Sequence, residues 1–317
     1  MKRRALLGAL AAGPAARPAL AQPRWPDRPV RLVIPFAPGG SNDVIARALA
    51  EKLQAAFGQP FVAENRAGAG GPIGAQYVAA QPADGHSLRG ASLSVSSTAT
   101  AQPGAPDPAQ TFDAVARLAS ASLAVAAAPN LPAGSIAELV ALARTRPLRF
   151  GSAGPGTINH FSGVLFGQVA GVEMEHVPYR GLGPATLDLL AGRIDLIIGS
   201  PPALGAPLKA GQLRLLATTG PARAPHFPTT PTVREAGLAF EVEFWWGILA
   251  PRGTPPAVRG ALEAAIRTAL ADAAFGRFFE SEGAQAAFLP GADYQRLLVS
   301  ESARWRQVAA TAGLTVN

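Results

Sequence analysis

The sequence lacks cysteine altogether and is poor in histidine and charged residues, and each shortage removes a class of function. A chain without cysteine has no disulfide framework, thiolate metal site or cysteine nucleophile. The four histidines are His86, His160, His176 and His226, and no two stand three or four residues apart, so no helical metal site is predicted. Only 15% of the 317 residues are charged whereas 48% are hydrophobic, which favours a large apolar core over disorder. We expect neither a metal nor a cofactor.

The formal net charge of +7 is concentrated at the N-terminus. Residues 1–21 contain four basic residues and no acidic one, which leaves 24 of the 28 basic residues against 21 acidic residues in the rest of the chain. A surplus this small does not form the electrostatic footprint of a nucleic-acid-binding protein. The sequence therefore predicts no nucleic-acid partner.

The first 21 residues have the order of an export signal. Residues 2–4 (KRR) are basic, residues 5–12 form a short apolar stretch, and residues 19–21 (ALA) match a cleavage site. An ordinary N-terminal helix would not need this order. The paired arginines leave the general secretory and twin-arginine routes open. No other segment has the roughly 18 uninterrupted apolar residues of a membrane span, so we expect a periplasmic protein cleaved near Ala21.

Beyond the signal, apolar strand-like runs alternate with segments of helical periodicity. Residues 30–34 are typical of a buried strand, and residues 44–57 of a helix that ends at Gly58. Ser135 and Glu138 have the spacing of a helix capping box, and a helix over residues 157–170 is closed by a glycine. This alternation predicts an α/β fold whose parallel or mixed sheets carry helices on both faces.

Two similar segments suggest where the chain passes between domains. Residues 121–128 and 243–250 are apolar and strand-like, and each leads through a proline-containing loop into a helix. If both are crossings, they form a double hinge around a cleft, which is typical of a binding protein. Domain 1 would then comprise residues 22–122 and 246–317, and domain 2 residues 123–245. The alternative is that both segments are ordinary core strands.

Two glycine-rich loops are the main candidates for ligand contact. Residues 38–43 (PGGSND) and 151–157 (GSAGPGT) each follow a strand and open a helix. The first amides of a helix lack internal acceptors, and the helix dipole favours negative charge there. Glycine lets the backbone approach a ligand closely. If the loops face each other across a cleft, they could hold a small carboxylate without an arginine; both could instead be structural helix-entry turns.

Other chemical motifs are weaker. Ser41 lacks the surrounding pattern of a hydrolase nucleophile, so helix capping is favoured over attack assisted by His160. Asp43 and Arg47 have the spacing of a local ion pair, with a role at the cleft as the alternative. Residues 68–74 resemble a dinucleotide-binding loop, but their spacing is wrong and no acidic residue follows about 20 positions later. We interpret them as a loop beneath the cleft.

Further candidates lie near strand ends. Tyr179 and Arg180 follow a strand at the end where open α/β sheets place ligands. The tyrosine could donate a hydrogen bond, and the arginine could supply charge, latch the other domain or be solvated. Phe36 and Trp245 are candidate apolar walls, with core packing favoured for the tryptophan.

Seven ordered runs resemble the periplasmic solute-binding receptors of tripartite tricarboxylate transporters, the Bug receptor family. They are residues 34–47 (IPFAPGGSNDVIAR), 62–71 (VAENRAGAGG), 82–88 (PADGHSL), 151–157 (GSAGPGT), 176–181 (HVPYRG), 188–195 (DLLAGRID) and 245–251 (WWGILAP). The resemblance extends from about residue 28 to the C-terminus. It implies a two-lobed type II periplasmic-binding fold that closes around small carboxylates. Residues 98–112 depart from the family pattern, as do Asn42 and Arg180.

Together, these features predict a non-enzymatic, monomeric receptor that delivers a small mono-, di- or tricarboxylate to membrane permease subunits. A serine hydrolase and a ligand-sensing partner of a signalling receptor are the alternatives. The candidate ligand-binding residues are Phe36, Pro38, Gly39, Gly40, Ser41, Asn42, Asp43, Ser92, Ser152, Ala153, Gly154, Gly156, Thr157, His160, Tyr179, Arg180 and Ser200.

Overall fold

The structure, a computed structural model, describes residues 25–314, so the predicted export signal at residues 1–21 lies outside the described residues. The first elements are β1 (Val30–Ile34), α1 (Ser41–Phe57), β2 (Phe61–Asn65), α2 (Pro72–Ala79), β3 (Ser87–Ser92), α3 (Ser94–Ala101), α4 (Pro108–Thr111) and β4 (Phe112–Ser122). The middle elements are β5 (Ala124–Ala127), α5 (Ile136–Ala143), β6 (Leu148–Ser152), α6 (Ile158–Ala170), β7 (Met174–Pro178), α7 (Leu182–Leu190), β8 (Leu196–Gly199), α8 (Pro201–Lys209) and β9 (Arg214–Thr218). The last are β10 (Glu243–Pro251), α9 (Pro256–Ala271), α10 (Ala273–Ser281), β11 (Gln285–Pro290) and α11 (Gly291–Ala312).

The strands form two mixed sheets, as the sequence predicts. One sheet has the order β11-β4-β10-β3-β1-β2, with β1 parallel to β2 and β3 and the remaining neighbours antiparallel. The other has the order β7-β6-β8-β5-β9, with β6 parallel to β7 and β8. Each sheet is the centre of a lobe whose apolar residues join one continuous buried core. No helix among residues 25–314 combines the length and apolar character needed to cross a bilayer.

Local sequence signals set the helix ends. Gly58 and Gly171 end α1 and α6 with left-handed φ angles of 70° and 64°, which a residue without a side chain adopts most easily. The Ser135 hydroxyl accepts a hydrogen bond from the Glu138 amide at the start of α5. The Glu138 carboxylate in turn accepts from the Gly134 amide, so the capping box closes one residue earlier than its usual form.

The chain passes between the lobes at two adjacent points. β4 ends at Ser122 in the six-stranded sheet, and after Leu123 the chain continues as β5 in the other sheet. The Thr219 hydroxyl accepts from the Leu123 amide (3.0 Å) and donates to the Val242 carbonyl (2.6 Å). This threonine therefore holds the outward and the returning segments side by side.

The second boundary differs from the sequence-based one. Residues 243–245 pair with residues 120–122 of β4, so they belong to the six-stranded lobe, and the return crossing lies before Glu243 rather than after Trp245. Both segments, 121–128 and 243–250, are indeed core strands, but only the first spans the junction. Periodicity does not reveal which sheet an apolar strand joins, because a buried strand has the same composition in either lobe.

Candidate functional site

The two predicted loops meet at a buried cavity between the lobes. The six-stranded lobe supplies residues of the β1–α1 loop, and the other lobe supplies the β6–α6 loop and the starts of α6, α7 and α8. The free volume is only about 10 Å³, close to what one buried water requires. No lining residue is charged. These residues are Phe36, Gly40, Ser41, Asn42, Ser94, Ala153, Asn159, Leu182, Ser200 and Phe244.

A hydroxyl pair joins the lobes at this cavity. Ser200 Oγ donates to Ser41 Oγ over 2.7 Å, and Trp246 Nε1 donates to the same oxygen over 3.3 Å. All three side chains are buried. Ser41 is the first residue of α1, whose N-cap is Gly40 and carries no side-chain cap, so the prediction that Ser41 caps the helix is wrong. Its hydroxyl is directed to the other lobe instead.

The start of α1 retains unpaired amides. The first hydrogen bonds to Gly40 come from the amides of Asp43 and Val44, so those of Ser41 and Asn42 have no acceptor within the helix. Both residues line the cavity. The Asn42 side chain donates to Ser92 Oγ (3.3 Å), which accounts for the buried position of that serine. The amides and the Ser41–Ser200 pair together form a partly positive, uncharged wall suited to a carboxylate.

The β6–α6 loop uses most of its own amides. The Gly154 amide donates to Ser152 Oγ (3.0 Å), and the Gly156 amide donates to Nδ1 of His160 (3.2 Å). Thr157 is the N-cap residue of α6, but its hydroxyl donates to the Gly154 carbonyl and does not cap the helix. Of this loop, only Ala153 lines the cavity.

A buried histidine and a half-buried histidine support the same loop. The rings of His160 and His176 stack with centroids 3.9 Å apart, and His176 Nε2 lies 2.6 Å from Ser152 Oγ. Burial lowers the pKa of His160 to about 4. Burial, together with the neighbouring His160, lowers the pKa of His176 to about 3. Both imidazoles are therefore neutral at neutral pH, which allows Nδ1 of His160 to accept from the loop.

Asp43 organises the β1–α1 loop. Its carboxylate accepts hydrogen bonds from Arg47 Nε (2.9 Å), Asn65 Nδ2 (2.9 Å) and the Gly39 amide (3.1 Å). Burial raises the pKa of this carboxyl, but the hydrogen bonds from Arg47, Asn65 and Gly39 outweigh burial and hold the pKa below its usual value. The predicted local ion pair with Arg47 is therefore present, and the same carboxylate also shapes the loop.

Tyr179, Arg180 and Pro38 lie outside the cavity lining. The Tyr179 hydroxyl donates to Asp188 Oδ2 over 2.8 Å, and burial followed by this bond raises its pKa to about 12. The Arg180 side chain is exposed, whereas its carbonyl accepts from the Ala37 amide of the other lobe (2.8 Å). The latch at this position is thus a backbone contact.

Glycines allow the lobes to touch elsewhere along the cleft. A Cβ on Gly183 would lie 2.3 Å from the Pro38 carbonyl oxygen, and one on Gly154 would lie 2.9 Å from the Gly70 Cα. Any side chain at either position would force the lobes apart. Residues 68–74 therefore contact the opposite lobe, in the place expected for a loop beneath the cleft.

Sequence reasoning missed four lining residues: Ser94, Asn159, Leu182 and Phe244. Asn159 follows Thr157 by two positions, so the first turn of α6 could have been included with its loop. Ser94 is the first residue of α3, two positions after the end of β3, and its hydroxyl accepts from the Ile158 amide of the other lobe (3.3 Å). Trp245 is buried and packs edge-on against Tyr294 with ring centroids 5.3 Å apart, which confirms the favoured prediction of core packing. Among residues 25–314, no cluster of three or more acidic or histidine side chains could hold a metal ion.

Comparisons with known proteins agree with this architecture. The model of the tripartite tricarboxylate transporter family receptor matches residues 45–314. The protein BugT of Bordetella pertussis is 35% identical over 91% of this chain and 90% of its own length. The structure of Rpa4515 from R. palustris with adipate superposes with a TM-score of 0.88 at 37% identity, covering 91% of this chain and 98% of that one.

A second solved structure, MatC from Rhodopseudomonas palustris with bound malate, has a TM-score of 0.85 at 31% identity and covers 90% of this chain and 99% of that one. The two-lobed fold expected from the family resemblance is confirmed by these superpositions. The chain belongs to the tripartite tricarboxylate transporter receptor family, whose members are periplasmic solute-binding receptors.

Proposed function

We propose that this chain closes around a small carboxylate-bearing anion and delivers it to the permease of a tripartite tricarboxylate transporter. The observation that carries the proposal is the uncharged interlobe cavity, where the free amides of Ser41 and Asn42 meet the Ser41–Ser200 hydroxyl pair. Charge-assisted hydrogen bonds of this type contribute about 1.5–3 kcal/mol each. A few of them give useful affinity without a cationic side chain.

Ligand entry requires the lobes to separate. A four- or six-carbon acid is much larger than the single water for which the cavity has room. The lobes are joined by two chain segments that Thr219 holds together, and rotation about this point would widen the cleft while both sheets stay intact. Malate in MatC and adipate in Rpa4515 are the ligands of two similar proteins, which supports the carboxylate class.

Thermal unfolding of the mature protein, residues 22–317, against mono-, di- and tricarboxylates tests this proposal. A ligand at 100 times its Kd should add about 2.7 kcal/mol to the free energy of unfolding. Ser200→Ala should weaken binding by roughly 10- to 100-fold, because it removes one charge-assisted bond. Ser300→Ala is the matched control, since its hydroxyl bonds only to the Leu297 carbonyl of its own exposed helix turn. Unchanged unfolding with every acid would contradict carboxylate binding.

Delivery, export and the lack of catalysis belong to the same proposal. Vesicles that contain the cognate permease should take up labelled ligand only when the receptor is added. Mass spectrometry of the exported protein should place its N-terminus near Gln22, and gel filtration should show a monomer.

Binding without turnover is supported by the partners of Ser41, which are Ser200 and Trp246 rather than His160. Ester hydrolysis lost in Ser41→Ala would contradict it.

A further inference from the structure

Arg89 is a buried cation without a counter-ion among residues 25–314. It lies in the middle of β3, between Val33 of β1 and Leu249 of β10, and is only 4% exposed. Its guanidinium lies 5.1 Å from the centroid of the Phe112 ring, and its Nε has no hydrogen-bond acceptor. Among residues 25–314, no carboxylate forms a salt bridge with it and none perturbs its pKa.

Two other buried ions in the described part of the chain, Asp43 and Asp195, are paired. Asp43 lies 2.8 Å from Arg47, and Asp195 lies 2.8 Å from Arg146. Burial lowers the pKa of Arg89 to about 10, so the group stays charged at neutral pH. Burial raises the pKa of Tyr294, whose hydroxyl is therefore neutral and cannot compensate the charge. An unpaired buried ion destabilises a fold unless an opposite charge joins it.

A second positive feature faces Arg89 across a small cavity. Gly71 is the N-cap of α2, and a Cβ built on it would lie 4.0 Å from Nη2 of Arg89. The first amide of α2 that bonds back to Gly71 is that of Ala75, so those of Ile73 and Gly74 have no acceptor within the helix. A helix N-terminus and a guanidinium repel each other, and an anion placed between them would be attracted by both.

This cavity adjoins the interlobe site. Phe36 and Ser94 line both spaces, and the Arg89 cavity has a free volume of about 10 Å³. Thr98 and residues 105–106, which belong to the segment that departs from the family pattern, also line it. Arg89 therefore lines a cavity that shares two residues with the cavity proposed to bind a carboxylate.

We infer that Arg89 and the N-terminus of α2 bind the second carboxylate of a dicarboxylate whose first carboxylate contacts Ser41 and Ser200. This inference rests on the proposed function and narrows its ligand class to dianions. Phe36 would have to move when the lobes open and a dicarboxylate occupies both spaces, because it lines both of them.

The test compares acids of equal carbon number that carry one or two carboxylates: adipate with hexanoate, and succinate with butyrate. Calorimetric Kd values are measured for the wild type, Arg89→Leu, Arg89→Lys and the control Arg117→Leu. Arg117 lies in the same sheet, but its Nε donates to the Ala287 carbonyl (2.9 Å) and it does not line the cavity. We expect Arg89→Leu to weaken dicarboxylate binding at least tenfold and to change monocarboxylate binding less than twofold. The dicarboxylate Kd of Arg89→Lys should lie between those of the wild type and Arg89→Leu. Arg117→Leu should keep the wild-type preference for dicarboxylates over monocarboxylates.

A second measurement keeps the inference falsifiable should binding be lost altogether. In the absence of ligand, Arg89→Leu should have a Tm equal to or above that of the wild type, because it removes an uncompensated buried charge. A lower Tm with an unchanged preference for dicarboxylates would mean a purely structural arginine and would overturn the inference while leaving the proposed function intact. Wild-type binding of both acids with equal affinity, together with Arg89-dependent stabilisation by chloride, would mean a free-anion site and would also overturn it. Binding of no acid to any variant would contradict both proposals.

Discussion

The β1–α1 loop and the β6–α6 loop look alike in sequence, yet their backbone amides differ in whether they have hydrogen-bond acceptors within the protein. In the first, Asp43 holds Gly39 from outside the cavity, which leaves the amides of Ser41 and Asn42 free. In the second, Ser152 and His160 accept hydrogen bonds from the Gly154 and Gly156 amides, so these two amides are satisfied within their own lobe. A glycine-rich turn before a helix is thus not by itself an anion site. Whether such a turn can bind an anion depends on which neighbouring groups already accept hydrogen bonds from its amides.

Low pH should reveal the largest difference between the two loops. Of the side chains that support them, acid protonates and charges only His160 and His176, which support the β6–α6 loop. His160 and His176 take up protons below about pH 6.5 when unfolded but only near pH 4 and 3 when folded. The unfolded chain binds more protons in this window, so stability is complete above pH 6.5 and falls as the pH drops towards 4. Each tenfold difference in proton affinity corresponds to about 1.4 kcal/mol, so the loss should reach several kcal/mol.

Urea unfolding between pH 4 and 8 checks this prediction. His176→Gln should flatten the pH dependence, whereas His226→Gln, which lies outside both loops, should leave it as in the wild type. If the free energy of unfolding of His176→Gln fell with decreasing pH as steeply as that of the wild type, the loss of stability in acid could not be assigned to His160 and His176.

Removal of the carboxylate in the first loop should have the next largest effect. Asp43→Ala leaves the Gly39 amide and Arg47 without this acceptor and leaves Asn65 with only the Phe36 carbonyl, and we expect a loss of about 3 kcal/mol in the free energy of unfolding. Ligand binding should also be lost, because Gly40 and Ser41 are no longer fixed. Glu138→Ala is the comparison, since Glu138 also accepts a loop amide, that of Gly134, but far from the cleft. Full ligand affinity in Asp43→Ala would contradict the organising role.

The contact of the first loop with α7 can be broken without touching either sheet. In Gly183→Ala the new methyl group would collide with the Pro38 carbonyl oxygen, and overpacking of this kind costs about 1–3 kcal/mol. The penalty should fall on the closed state, so ligand affinity should decrease roughly tenfold. Gly260→Ala on α9 is the matched control, because a methyl group at that position would have no other atom within 4 Å. Equal affinities of the two variants would show that closure does not need this contact.

The smallest effect is expected from Ser152→Ala in the second loop. The change removes the acceptor of the Gly154 amide and the partner of His176, and should cost about 1 kcal/mol of stability. Because Ser152 does not line the cavity, its loss should change ligand affinity much less than Ser200→Ala does. Affinities reduced equally by both substitutions would mean that the two loops bind ligand alike.

Local patterns predicted the parts of this molecule that depend on neighbouring residues. The sequence predicted the glycines that end α1 and α6 and the capping box at Ser135. This was possible because the residues that form each feature lie within four positions of each other. The hydrogen-bond partners of the Ser41 and Thr157 hydroxyls could not be predicted in this way. Each hydroxyl had a better partner: Ser200, distant in sequence, for Ser41, and the Gly154 carbonyl for Thr157. Propensity describes what a side chain does when nothing else competes for it.

The sequence by itself determined the family, the alternation of strands and helices, and the two glycine loops at helix starts, since each follows from periodicity and local turn chemistry. Only the tertiary structure decided that Ser41 meets Ser200 across 159 positions, that β10 joins the first lobe from Glu243 onward, and that Arg89 is buried opposite a helix N-terminus. These features depend on which distant groups become neighbours and compete for the same donors and charges, and a linear pattern does not contain that information.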